Sequence, residues 1–186
     1  MRLAVCSPFG PHELETAIET KNGRRFHVRP ILPEDETRLV ELLNRSTADD
    51  VRLRFFAPVK KFGHRFAARM TQIDYDREMA LVAVDPDSQA VAGVVRLISD
   101  PDNEKAEFAV MVRSDVKGIG LGYSLMIQIV QYARKRSVGR VYGDVLSENT
   151  TMLQMTRELG FAVARSAADP DVVTVTLDLQ RAPGST

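Results

Sequence analysis

A mixed α+β fold is what this sequence predicts, with a central, mostly antiparallel sheet of about seven strands flanked by helices. Two observations predict it. Three consecutive segments with a period of two, residues 78–85, 90–98 and 104–113, are joined by the short turn-rich links "PDSQ" and "SDPDN", which makes them neighbouring antiparallel strands. They run into a long helix over 119–137 whose polar residues Ser124, Gln128, Gln131 and Lys135 share one narrow stripe. A helix so apolar elsewhere is buried against a sheet.

The remaining elements follow in order. Residues 1–22 mix Pro, Gly and charge without a period and read as a flexible leader. "RRFHVRPI" (24–31) alternates as a first strand. In "LPEDETRLVELLNRS" Pro33 opens a helix, acids fill its first turn, and Leu39, Leu42 and Leu43 share a face. "TADDVRLRFF" and "GHRFAARMTQI" read as short helices separated by Pro58 and Gly63. After the long helix, "GRVYGDVL" (139–146) is a strand, and "NTTMLQMTREL" is a helix stopped by Gly160. "FAVARS" and "VVTVTLDL" complete the sheet, and 181–186 read as a flexible tail. The domain therefore spans 23–180.

Composition narrows the function. The chain has 186 residues, 44% of them hydrophobic, enough for one domain with its own core. Twenty-five basic and 25 acidic residues cancel, which argues against bulk attraction to nucleic acid or membrane and makes any anion site local. Cys6 stands alone, and His12, His27 and His64 lack metal-ligand spacing, so no metal is expected. There is no apolar run of membrane-spanning length and no secretory signal, and the expected location is cytoplasmic.

The stretch "KGIGLGYSL" (117–125) puts Gly118, Gly120 and Gly122 where the long helix begins. It lacks the Gly-Lys-Ser/Thr ending of a phosphate loop, and Tyr123 stands where a dinucleotide fingerprint needs its third glycine. A plain strand-to-helix turn is one reading. The other is an anion site. Glycines let successive amides approach an oxygen, the first helical turn has unpaired N–H groups and a positive dipole end, and Lys117 adds charge at the rim.

Within "EKAEFAVMVR", Ala106, Phe108, Val110 and Val112 point one way and Lys105, Glu107, Ala109, Met111 and Arg113 the other. Glu107 thus stands beside Ala109 and Met111 in a central strand, where a carboxylate is rarely buried unpaired. It either faces solvent, pairs with an arginine, or does chemistry.

"KGIGLG" after the strand "AEFAVMV" resembles the acetyl-CoA loop of the GCN5-related N-acetyltransferase (GNAT) family, with Lys117 in the place of the usual Arg/Gln. "RFF", "TQIDYDREMALVAV", "DPDNEKAEFAV" and "VTLDL" are similar to the bacterial Pat-type protein lysine acetyltransferases, and the resemblance runs over residues 24–179. It implies the acyl-CoA N-acyltransferase fold and acetyl-CoA as cosubstrate. The diphosphate would rest on Lys117, Gly118, Ile119, Gly120, Leu121, Gly122 and Tyr123, and the pantetheine arm on Val110, Met111 and Val112. An amide at Met111 or Val112 would polarise the thioester, and Asn149 would contact the cofactor unless it merely caps its helix.

The family's general base often lies about ten residues before the loop, which is the place of Glu107. A lysine amine is neutral in only about one molecule in 2,500 at pH 7, a handicap of ~4.6 kcal/mol. A partly desolvated glutamate with its pKa raised toward about 6 to 7 would remove the proton. Glu78 is the reserve candidate. Where many relatives carry an acidic Tyr, this chain has Thr156, a poor acid.

The implied acceptor is a lysine on a protein, such as an AMP-forming acyl-CoA synthetase. A small amine, or a non-catalytic acyl-CoA sensor, remains open. A stand-alone catalytic domain, monomeric or weakly homodimeric, is expected. "LRFF" with "KKFGHRF" is either a basic aromatic surface for a protein substrate or a helix-packing face, and Asp74, Tyr75 and Asp76 either an acidic lip or a turn.

Overall fold

The computed structural model describes residues 14–59, 62–166 and 169–180. The expected tail at 181–186 and most of the expected leader, 1–13, lie outside the described residues. Within them the chain runs β1 (Thr16–Glu19), β2 (Arg25–Pro30), α1 (Glu36–Asn44), α2 (Ala48–Phe55), α3 (His64–Thr71), β3 (Glu78–Val84), β4 (Val91–Ser99), β5 (Lys105–Val112), α4 (Leu121–Lys135), β6 (Arg140–Leu146), α5 (Thr150–Glu158), β7 (Ala162–Arg165) and β8 (Val172–Asp178). The sheet has eight strands in the order β1-β2-β3-β4-β5-β6-β8-β7, all antiparallel neighbours except β5 and β6.

The additional strand is β1, which corrects the leader reading from Thr16 onward. Its four residues bury only Ile18, so alternation alone cannot reveal it; it forms by pairing Thr16 to Val28 and Glu19 to Arg25. The turn after β1 brings Lys21 to the loop before α4, where its N–H donates to the Ile119 carbonyl at 3.1 Å.

Helix boundaries have local causes. Thr47 caps α2, its hydroxyl accepting the Asp50 N–H at 3.2 Å, and Phe56 ends it at φ 60°. Asn149 caps α5, accepting from Met152 N at 3.2 Å, and Gly160 follows at φ 88°.

Two apolar clusters cover the two faces of the sheet. One joins α4 and α5 (Leu121, Leu125, Met126, Ile129 and Leu153) to Leu81, Val95, Phe108 and Val110. The other joins α1 and α2 (Leu39, Leu42, Leu43 and Val51) to Val82, Val94 and Met111. Strand β5 serves both, which is the face-by-face division its alternation predicts. Three aromatics of "LRFF" and "KKFGHRF" pack on one another, the rings of Phe55, Phe62 and Phe66 lying 5.2 to 5.8 Å apart, while Phe56 is exposed.

Candidate active site

Strands β5 and β6 are paired only from Lys105↔Arg140 to Glu107↔Tyr142, and beyond that they part. Phe108 wedges the fork. A Cβ at Gly143 would lie 2.7 Å from the Phe108 ring, so only glycine admits that ring, which also packs edge-on to Phe161 at 5.4 Å. The gap opens into a cleft of about 1280 Å³.

The cleft gathers most residues singled out from the sequence. Glu107, Val110, Met111, Val112, Lys117, Gly118, Ile119, Gly120, Gly122, Tyr123 and Asn149 all line it. Leu121 does not, because its side chain is 1% exposed and belongs to the core beneath α4. Glu107 sits on the last paired rung of the fork and is exposed, not partly desolvated as its expected role required.

Backbone direction follows from pairing. Arg113 N donates to Ala92 O at 2.9 Å, toward β4. By alternation the amides of Met111 and Ala109 also point to β4, and those of Val110 and Val112 point into the gap. Of the two amides named from the sequence, Val112 is therefore the one with access to the cleft.

The glycine turn is held open by its backbone. Gly118 has φ 78° and Gly120, the residue that opens α4, φ 90°, a region side chains rarely adopt. No side chain caps the helix there, and a Cβ on Gly118 would meet nothing within 4 Å. This leaves first-turn amides facing open space.

The charges around the turn differ from the expected ones. Lys117 Nζ is ion-paired with Asp50, which also accepts from Ser114 Oγ. Burial pushes the Asp50 carboxyl up, but the Lys117 and Ser114 hydrogen bonds and the Lys117 charge outweigh it and hold its pKa below the usual range. Much of the Lys117 charge is therefore taken by α2. Lys21 was hidden in the supposed leader, and its stem lies 3.6 to 3.8 Å from a Cβ placed on Gly120. It lines the cleft and has no ion pair among the described residues.

The secondary candidates lie elsewhere. Glu78 is bound to Arg96 at 2.8 Å and is not part of the cleft wall. Thr156 is fully buried and donates to Leu153 O at 3.0 Å, so it has no route to a leaving group. Asp74 accepts from Asp76 N at 3.1 Å and Tyr75 donates to the Ile31 carbonyl, as in a turn, and none of the three lines the cleft. Among the described residues no group of three or more His, Cys, Asp or Glu is placed to hold a metal, and no helix is long and apolar enough to cross a membrane.

A mostly antiparallel sheet that forks at one parallel pair, with a glycine turn and helix N-terminus at the mouth of the fork, defines the acyl-CoA N-acyltransferase class. The Acetyltransferase (GNAT) family model matches residues 44–161. The chain belongs to this family and is an N-acetyltransferase. It is 28% identical to acetyltransferase PA5475 of Pseudomonas aeruginosa over 87% of this chain and 85% of that protein. It is 26% identical to acetyltransferase Pat of Mycolicibacterium smegmatis over 87% of this chain, but spans only 48% of that relative's length. The GNAT domain of S. lividans PAT superposes with a TM-score of 0.84 at 26% identity, covering 91% of this chain and 99% of that domain. A ribosomal L7/L12 α-N-protein acetyltransferase, solved in complex with coenzyme A, shares the fold at 12% identity and a TM-score of 0.68, covering 82% of this chain and 93% of that one.

Proposed function

We propose that this protein moves an acetyl group from acetyl-CoA to the ε-amine of a lysine on a protein, an AMP-forming acyl-CoA synthetase being the acceptor that the Pat-type resemblance suggests. The observation that carries this reading is the fork itself: it ends at a carboxylate, Glu107, and opens toward the glycine turn ten residues further on.

The residues present fit the cosubstrate. Open amides at Gly118 and Gly120, the positive end of α4 and the Lys21 ammonium suit a diphosphate. Val110 and Val112 offer amides to the arm and to the thioester carbonyl, whose activated carbon is the chemistry acetyl-CoA supplies. Glu107 takes the proton that the amine must lose. It is exposed at the fork and so open to an incoming acceptor. No side chain is assigned as general acid, because Thr156 is buried and a thiolate leaves without one.

The test is incubation with labelled acetyl-CoA and an AMP-forming acyl-CoA synthetase. Release of CoA and one acetylated lysine on the synthetase are expected. If label accumulates on small amines and on no protein, the proposed acceptor class is wrong.

A further inference from the structure

The cleft holds a cation with no ion-pair partner among the described residues. Arg54, on α2, lines the cleft with Glu107, and its guanidinium lies over the Phe55 ring at 4.8 Å. Among the described residues it makes no hydrogen bond and has no carboxylate within ion-pair distance. A second cavity of about 10 Å³, large enough for one water or one carboxylate oxygen, is lined by Arg54 together with Arg96. Arg54, Phe55, Ala109 and Met111 line both spaces, so the small cavity adjoins the main cleft.

Arg96 is the second half of the feature. It stands directly across from Ala109 in the β4–β5 register, two rungs from Glu107 on the same face. It is 5% exposed, bonded to Glu78 and to the Met70 carbonyl, yet its Nε has no hydrogen-bond partner. A buried polar atom left unmatched is destabilising, and two neighbouring guanidiniums repel. Burial first, and then Arg96, push the Arg54 pKa down to about 10, and Glu107 only partly offsets them. The one carboxylate on Arg96, Glu78, is already engaged. Glu107 acts on Arg54 only through space, so the Arg54 guanidinium keeps open donors for an incoming anion.

Building on the proposed lysine transfer, we propose that Arg54, backed by Arg96, binds a carboxylate of the acceptor, so that the preferred lysine has an acidic side chain beside it in the folded or extended substrate. The carboxylate takes up the open donors of Arg54, and the lysine amine then lies toward Glu107, two residues from Ala109 on the same face of β5. The stems of Arg54 and Phe55 give the acceptor an apolar wall.

Two measurements test this. The first compares lysine peptides flanked by Asp or Glu with the same peptides carrying Asn or Gln, by CoA release, on the wild type, Arg54→Gln and Arg54→Lys. The wild type should favour the acidic peptides at least about tenfold in kcat/KM, mostly through KM. Arg54→Gln should bring that ratio near one, Arg54→Lys should restore part of it, and the Kd for CoA should stay unchanged in both. Equal loss on acidic and amide peptides makes Arg54 a support for Glu107 alone and overturns the proposal. The second measurement needs no turnover: titration of the wild type with glutarate should shift the NMR signal of the Arg54 side-chain Nε–H, and the corresponding diamide should not. Absence of a glutarate shift overturns the carboxylate site even if lysines are acetylated. A shift without any lysine acetylation leaves the site standing and removes the transfer reading.

Discussion

Glu107 is the side chain on which turnover should depend most. Glu107→Gln keeps shape and removes basicity, so kcat should fall by about 10²–10⁴ while the Kd for CoA, by calorimetry, stays within a factor of two. Full rate in this variant would dismiss the assignment. At the glycine turn the two lysines should separate. Lys21→Ala is expected to weaken CoA binding about tenfold, and Lys117→Ala clearly less, because Asp50 already takes much of the Lys117 charge. The reverse order would mean that the Asp50 pair opens when ligand arrives. The sequence could indicate Glu107 and the glycines because their signals are local, an acid in an apolar alternation and three glycines at a helix start. It could not indicate Lys21, Asp50 or Arg54. Asp50 and Lys117 lie 67 residues apart, and their meeting is a property of the fold.

Strands and helices were largely legible because each carries its own period. Helices α2 and α3 and the five strands from β3 to β7 fall where alternation and caps put them, within a residue or two at the ends, whereas α1 begins at Glu36 because Pro33–Asp35 form a 3-10 turn ahead of it. The fork was not legible in that way. It depends on Phe108 and Gly143, two residues unremarkable in sequence, and Gly143→Ala tests it. The added methyl lies 2.7 Å from the ring, so a loss of about 1–3 kcal/mol in urea unfolding is expected. Phe108→Leu in the same chain should recover part of that loss, and strictly additive effects would show that the two do not compete for space. A second element-level test lies at the entry to α1. The Asp35 side chain is 1% exposed and binds Arg29 through two hydrogen bonds of 2.6 and 2.7 Å, with the Leu32 amide at 2.9 Å. Asp35→Ala strands a mostly buried guanidinium and should cost about 3–5 kcal/mol. A change under 1 kcal/mol would mean that water replaces the carboxylate.

For the molecule as a whole, four carboxylates set the acid limit. Burial raises the pKa values of Asp35, Asp50 and Asp85, but their hydrogen bonds and cationic partners win and lower them; Asp115 is lowered first by its hydrogen bonds from Arg113. A folded value below the ordinary 3.8 means these groups stabilise fully above that pH and lose their contribution as pH falls through the lower folded values. Urea midpoints should therefore be flat with respect to these groups from pH 7 to about pH 5 and fall steeply below about pH 4. An unchanged midpoint at pH 3 would contradict the ion pairs described.

The two apolar clusters lie on opposite faces of the sheet, and β3, β4 and β5 each give residues to both. One set of helices backs the glycine turn, and the other presents Arg54 and Phe55. If Arg54 selects the acceptor as proposed, drift at Arg54 and Phe55 can re-aim the scaffold at new targets, whereas Asp50 on the same eight-residue helix is tied to the glycine turn through Lys117 and is not free to change.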